Sequence, residues 1–193
     1  MAKKISPGSI RYRLVTDFKN ANVIPHLKVW VDAIHDNSLN MLPETVESLR
    51  NKLLCAVFAF HNQKLVGAGG IMYPPTKPLY YNKKRVVEFR SVFRHPDYKK
   101  CGIATELVIK RLEFVKQSKL FPVILTKQPD MKPILKKLGW VYIEKQLVKK
   151  LVPVKNGLRD CSCQNNKRIP FIGERCSNCP MLGRFTWINP SFL

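Results

Sequence analysis

"HPDYKKCGIATELVIKRLEFV" (residues 95–115) joins a polar stretch punctuated by proline to an amphipathic segment, through one small turn centred on glycine. Upstream, "RVVEFRSVFRHP" (85–96) is rich in β-branched and aromatic residues with partial alternation, and it reads as a strand that Pro96 stops. Downstream, Ile103, Leu107, Val108, Leu112 and Val115 recur at helical spacing, with Glu106, Lys110, Glu113 and Gln117 on the other side. This pattern predicts a helix beginning near Gly102 that buries one face. The loop "KKCGIA" (99–104) then sits where the first backbone N–H groups of the helix lack carbonyl partners and the peptide dipoles concentrate positive charge. Gly102 and Ala104 leave room for a phosphate on those amides, and Lys99 and Lys100 add charge. The alternative from the residues alone is a tight strand-to-helix turn with solvated lysines.

Three signatures in order resemble the GCN5-related N-acetyltransferase (GNAT) superfamily. "FRHPDY" is similar to its strand end, "KKCGIA" to its coenzyme A loop of Arg or Gln, two residues, Gly, one residue, then Gly or Ala, and "MKPILKKLGWVYIEK" to its late helix, Leu-Gly-aromatic and last strand. Lys99 replaces the usual arginine or glutamine. The resemblance covers roughly residues 8–150 and implies acetyl-CoA as co-substrate, held by Lys99, Lys100, Cys101, Gly102, Ile103, Ala104 and Thr105. It further implies that the strand backbone around Val92 and Phe93 holds the pantetheine arm and donates N–H groups to the thioester carbonyl; both residues read equally well as core.

The remaining elements follow in order. "IRYRLV" (10–15) predicts a first strand, and "ANVIPHLKVWVDAIHD" (21–36) a helix with Ile24, Leu27, Val31 and Ile34 on one stripe. "PETVESLRNKL" (43–53) predicts a second helix beginning at Pro43. "CAVFAFH" and "LVGAGGIMY" flank Asn62, Gln63 and Lys64 as a hairpin. Strand, two helices, three strands, helix, strand, helix, strand gives an α/β or α+β fold on local reading. The resemblance adds a mixed central sheet flanked by helices, with an acceptor groove bordered by the loop "YPPTKPLYYNKKR" (73–85). Residues 1–155 are expected to form this domain and residues 156–193 a small C-terminal Cys-rich segment.

An acetyl transfer needs a base to deprotonate the amine and donors to polarise the thioester. The resemblance places Glu88 as that base, on the strand leading to the coenzyme loop; its alternative is a glutamate paired with Arg85 or Arg90. Two positions depart from the family pattern. Leu135 stands where many relatives carry the tyrosine that protonates the leaving thiolate, and Gln128 or Pro129 where an asparagine contacts the coenzyme. Tyr142 reads as packing, Cys101 as an inert loop residue and Cys55 as core.

"CSCQNNKRIPFIGERCSNCP" sets Cys161 and Cys163, then Cys176 and Cys179, as two close pairs across a short basic loop. Four thiolates in two pairs suit a structural, tetrahedral Zn²⁺, with folding of residues 158–185 coupled to metal. Disulfides, free thiols and iron–sulfur ligation are the alternatives. His26, His35, His61 and His95 are distant in sequence and read as surface or core residues.

Thirty-four Lys and Arg against thirteen Asp and Glu give a net charge of +21, spread along the chain, with aromatic residues among the clusters. That balance points to a polyanionic partner, RNA or DNA, or to a nucleic-acid-associated protein. The alternative is neutralisation by coenzyme and cellular anions. No apolar run approaches membrane-spanning length and no apolar signal core follows the N-terminus, so a cytoplasmic protein without membrane contact is expected. Two function classes remain: an acetyl-CoA-dependent N-acetyltransferase, and a catalytically degenerate GNAT-like nucleic-acid binder. The sequence leaves the acceptor and the oligomeric state open, dimerisation included.

Overall fold

The computed structural model describes residues 7–36, 44–73, 80–81, 83–126, 130–143, 160–162, 168–170 and 185–192. Its elements are β1 (Arg11–Val15), α1 (Ile24–Asp36), α2 (Val46–Lys52), β2 (Leu53–His61), β3 (Lys64–Met72), β4 (Tyr80–Tyr81), β5 (Lys84–Arg94), α3 (Ile103–Gln117), β6 (Leu120–Thr126), α4 (Met131–Lys137), β7 (Val141–Ile143), β8 (Asp160–Ser162), β9 (Arg168–Pro170) and β10 (Phe185–Ile188). The fold is of the predicted mixed α/β class. It divides into two compact units, Met1–Met72 with Phe89–Phe114, and Tyr73–Glu88 with Val115–Leu193.

In the first unit β1, β2 and β3 form an antiparallel meander, with Arg11 opposite Phe60 and His61 opposite Lys64, and the second half of β5 follows beside β3. Period-two alternation gives the meander two apolar faces. Phe58 belongs to a cluster with Leu27, Trp30 and Ile34 of α1 and Leu49 of α2. Its neighbours Val57 and Ala59 join Ile103 and Leu107 of α3 on the other side. Burying side chains of this size contributes roughly 1.5–3 kcal/mol each, enough to fix which stripe of each helix turns inward.

The glycines of "LVGAGG" in β3 are where helices come closest. A Cβ on Gly67 would stand 2.6 Å from Ile103 Cγ2, one on Gly69 3.1 Å from Arg111 Cζ, and one on Gly70 3.0 Å from Trp30 Cη2. Gly67 and Gly69 thus face α3, while Gly70 faces α1.

The structure departs from two expectations. Ile24 is 37 % exposed, because the α1 stripe runs through Leu27, Trp30, Val31 and Ile34 instead. The second helix starts after Thr45, whose side chain accepts a hydrogen bond from Ser48 N at 3.0 Å. A capping hydroxyl two residues past Pro43 therefore sets that start; Pro43 lies outside the described residues.

In the second unit β4 and β5 form a hairpin, Tyr80 opposite Arg85, which adds a fourth strand to the three expected between the second and third helices. Strand β10 lies between β6 and β7, with Trp187 opposite both Ile124 and Tyr142. Chain order alone gave no sign of this insertion. Beyond β10, Lys84 Nζ donates to the Phe192 carbonyl at 2.7 Å and the Phe192 side chain is buried. Helix α4 ends at Gly139, φ +76°, with Trp140 N donating to Leu135 O and Gly139 N to Lys136 O. That αL stop is why glycine stands in Leu138-Gly139-Trp140. Strands β8 and β9 pair with Cys161 opposite Ile169. Among the described residues no helix is long and apolar enough to cross a membrane.

Candidate active site

Pro96 ends β5 by forcing a turn, and Pro96–Tyr98 form a short 3₁₀ helix. Tyr98 anchors it: the ring is buried, and its hydroxyl lies 2.9 Å from His61 Nδ1 on β2. His95 N donates to Val66 O at 2.9 Å, tying the end of β5 to β3. From this base the chain curls outward through Lys99, Lys100 and Gly102, all exposed. Lys100 has φ +64° and Gly102 φ +77°.

Gly102 is where the conformation demands glycine. Nothing lies within 4 Å of the position a Cβ would occupy, so backbone conformation rather than crowding selects the residue. The first helical bond runs from Glu106 N to Gly102 O at 3.0 Å. The N–H groups of Ile103, Ala104 and Thr105 precede it and have no acceptor within the helix. The dipole of the 15-residue α3 adds positive character where two lysines already stand.

Val92, Cys101 and Ile103 come together in the cluster on the α3 side, with Tyr98 and Leu107. Phe93 packs in the other cluster, against α1 and α2. The Phe93 side chain is thus buried and that of Val92 half-buried. Phe89 lies beneath the Arg111 guanidinium of α3, 4.7 Å from ring centroid to Cζ. Phe89 and Val92 therefore share a face although three residues apart, so the alternation of β5 slips between them. Irregularities of this kind turn backbone groups out of the regular ladder.

Glu88 immediately precedes Phe89 in β5 and is 2 % exposed. Sequence reading missed Glu44, 5 % exposed at the head of α2. It accepts hydrogen bonds from Ser48 Oγ at 2.8 Å and Lys52 Nζ at 2.9 Å. Burial alone would raise its pKa; those bonds, with the charges of Lys52 and Arg90, outweigh that and hold the carboxyl below its usual value. Arg90 follows Glu88 by two residues in β5. A buried acid outside any periodic pattern leaves no trace in the sequence beyond the capping run "ETVES".

Near the turn, Tyr12 is pushed up to about 12, first by burial and then by Glu106 and Cys101, so it stays a neutral phenol. Cys55 is fully buried and its thiol is also pushed up to about 12 by burial, as a core residue should be. Leu135 is fully buried in α4 and offers no proton. Gln128 and Pro129 lie outside the described residues. So do Cys163, Cys176 and Cys179; Cys161 lies in β8. Among the described residues no group of three His, Cys, Asp or Glu side chains could hold a metal.

The acetyltransferase (GNAT) family model matches residues 15–140, from the first strand through the aromatic residue after Gly139. No curated protein matches the sequence. Solved structures share the fold at low identity. N-acetylglutamate synthase from Neisseria gonorrhoeae, complexed with coenzyme A and N-acetyl-glutamate, aligns with 93 % of this chain at TM-score 0.59 and 10 % identity; the chain spans 35 % of that protein's length. A GNAT-family acetyltransferase from Staphylococcus aureus Mu50 aligns over 93 % of this chain and 99 % of its own, at TM-score 0.55 and 14 % identity. A predicted acetyltransferase from Clostridium acetobutylicum, with acetyl-CoA, aligns over 67 % and 88 %, at TM-score 0.51 and 18 % identity. With the family model covering well over half of the chain, and strand, turn and helix built as described, this chain belongs to the GNAT acetyltransferase family.

Proposed function

We propose that the chain transfers the acetyl group of acetyl-CoA to an amine. The observation that carries this reading is the turn at 99–105, exposed at Lys99, Lys100 and Gly102: Gly102 at φ +77° with open space over it, two lysines, and three N–H groups without a helical acceptor. These are the groups a diphosphate needs. The family and the coenzyme-bound solved structures of the same fold support it.

In this reading Lys99, Lys100, Cys101, Gly102, Ile103, Ala104 and Thr105 hold the diphosphate, and the backbone around Val92 and Phe93 holds the pantetheine arm. N–H groups there polarise the thioester carbonyl. Glu88 takes the proton of the attacking amine, directly or through water. A C–N bond forms as the C–S bond breaks, and water protonates the departing thiolate, since Leu135 cannot. The net charge of +21 supports an acceptor on or beside a polyanion such as RNA or DNA, or on a nucleic-acid-associated protein. The division near residue 155 is proposed with β10 returning from the C-terminal segment to the sheet of β6 and β7, and a structural Zn²⁺ on Cys161, Cys163, Cys176 and Cys179 is supported by the spacing of the cysteine pairs. Metal analysis of the purified chain should read one zinc per molecule, and none after Cys176→Ser.

Titration calorimetry tests the central claim. Acetyl-CoA should bind the wild type, and Gly102→Glu should abolish the heat, since any side chain at that φ is strained by about 1–2 kcal/mol and a carboxylate repels the diphosphate. Glu88→Gln should keep coenzyme affinity while turnover falls roughly 10²–10⁴-fold. No binding by the folded wild type would leave the degenerate nucleic-acid binder as the reading.

A further inference from the structure

Arg111 lies two turns into α3 and has no exposed surface. Its Nε donates to the Leu107 carbonyl at 2.8 Å and its Nη1 to the Gly70 carbonyl of β3 at 3.1 Å. The guanidinium lies over the Phe89 ring of β5 and occupies space that exists because position 69 is glycine. Burial draws its pKa down to about 9, so it is still charged at neutral pH. The buried thiol of Cys55, which stays protonated, supplies no counter-charge. Nη2 is buried with no hydrogen-bond partner among the described residues.

Stability does not account for such a residue. A buried cation is costly, and an unbranched apolar side chain of similar length would fill the same space without that cost. What the guanidinium adds is direction, because its planar fork fixes three elements at once: α3 through Leu107, β3 through Gly70 and β5 through Phe89. The head of the same helix meets β3 again at Gly67, against Ile103. A shift or rotation of α3 about the Arg111 clamp therefore displaces the turn that precedes Ile103.

We propose that Arg111 is a positioning residue for the coenzyme turn, setting the height and rotation of α3 over β3 so that the N–H groups of Ile103, Ala104 and Thr105 converge on one diphosphate. The inference rests on the coenzyme reading of that turn. Three variants test it: Arg111→Met, Gly69→Ala, which crowds the guanidinium, and the double variant. Each is measured for thermal midpoint, acetyl-CoA affinity by calorimetry, and amide exchange of residues 102–108 in free protein.

Arg111→Met should keep or raise the thermal midpoint, weaken acetyl-CoA binding about tenfold and speed exchange at the helix head. Gly69→Ala should weaken binding in the same direction, and the double variant should be no weaker than Arg111→Met alone, because both act through one guanidinium. Unchanged affinity and exchange in Arg111→Met would overturn the proposal, as would affinity that falls only in step with the thermal midpoint. Should Arg111→Met fail to fold, Gly69→Ala decides the matter through the same affinity and exchange measurements. If the folded wild type does not bind acetyl-CoA, the coenzyme reading is what fails; exchange at the helix head then decides the role of Arg111 by itself.

Discussion

At the scale of single residues, some positions are chosen for conformation and others for charge. Gly102 is of the first kind, and the motif "KKCGIA" announces it because only glycine takes φ +77° without strain. Glu44 is of the second, and only its partners reveal it. Its folded pKa is depressed, so its contribution is present above the unfolded carboxyl value of about 4.3 and is lost as pH falls through the lower folded value. Urea midpoints measured from pH 7 to 3 should therefore drop more steeply for the wild type than for Glu44→Gln. At pH 7 the variant should be less stable by about 1.5–3 kcal/mol, the range for hydrogen bonds to charged groups. Parallel pH curves for the two proteins would show that the carboxylate is not stabilising the head of α2.

At the scale of elements, turns and close approaches decide geometry that hydrophobic periodicity leaves open. The β2–β3 hairpin closes through two residues, Asn62 at φ +48° and Gln63 at φ +64°. Both have the sign that two-residue hairpins require, yet Gln63 is a poor residue for it. Gln63→Gly should relieve about 1 kcal/mol of strain and raise the thermal midpoint by about 2–4 °C in a chain of this size. A lower midpoint would mean that the loss of unfolded-state constraint outweighs the relief. The helices show the same division. The stripe of α1 is legible in outline, but Trp30 rather than Ile24 belongs to it, and Gly70 on β3 leaves room for Leu53 and Trp30.

At the scale of the whole molecule, charge is the dominant property. With 34 basic side chains against 13 acidic ones, association with a polyanion should be steep in salt. A single-stranded RNA oligomer should bind with a log–log salt slope of about −0.7 for each phosphate contacted. An affinity flat between 50 and 200 mM salt, roughly the range over which such contacts are lost, would remove RNA from the proposed partners. The ion pairs at exposed lysines, such as Lys110 with Glu113 at 3.0 Å, offset little of this excess.

Local chemistry along the chain was enough to determine the order of elements from β1 to β7 apart from β4, the strand ended by Pro96, the helix that begins after Gly102 and the glycine stop of α4. These depend on backbone conformation and on periodicity, and both are properties of neighbouring residues. Placement of Glu44 under Lys52, the slip of β5 between Phe89 and Val92, the clamp of Arg111 and the position of β10 between β6 and β7 were decided only in the tertiary structure. Each depends on groups brought together from distant parts of the chain, where burial and hydrogen bonding act on pairs that no local pattern connects. A buried arginine in an amphipathic helix looks, in sequence, like any surface arginine. What distinguishes Arg111 is a glycine forty-two residues earlier in the chain, at position 69.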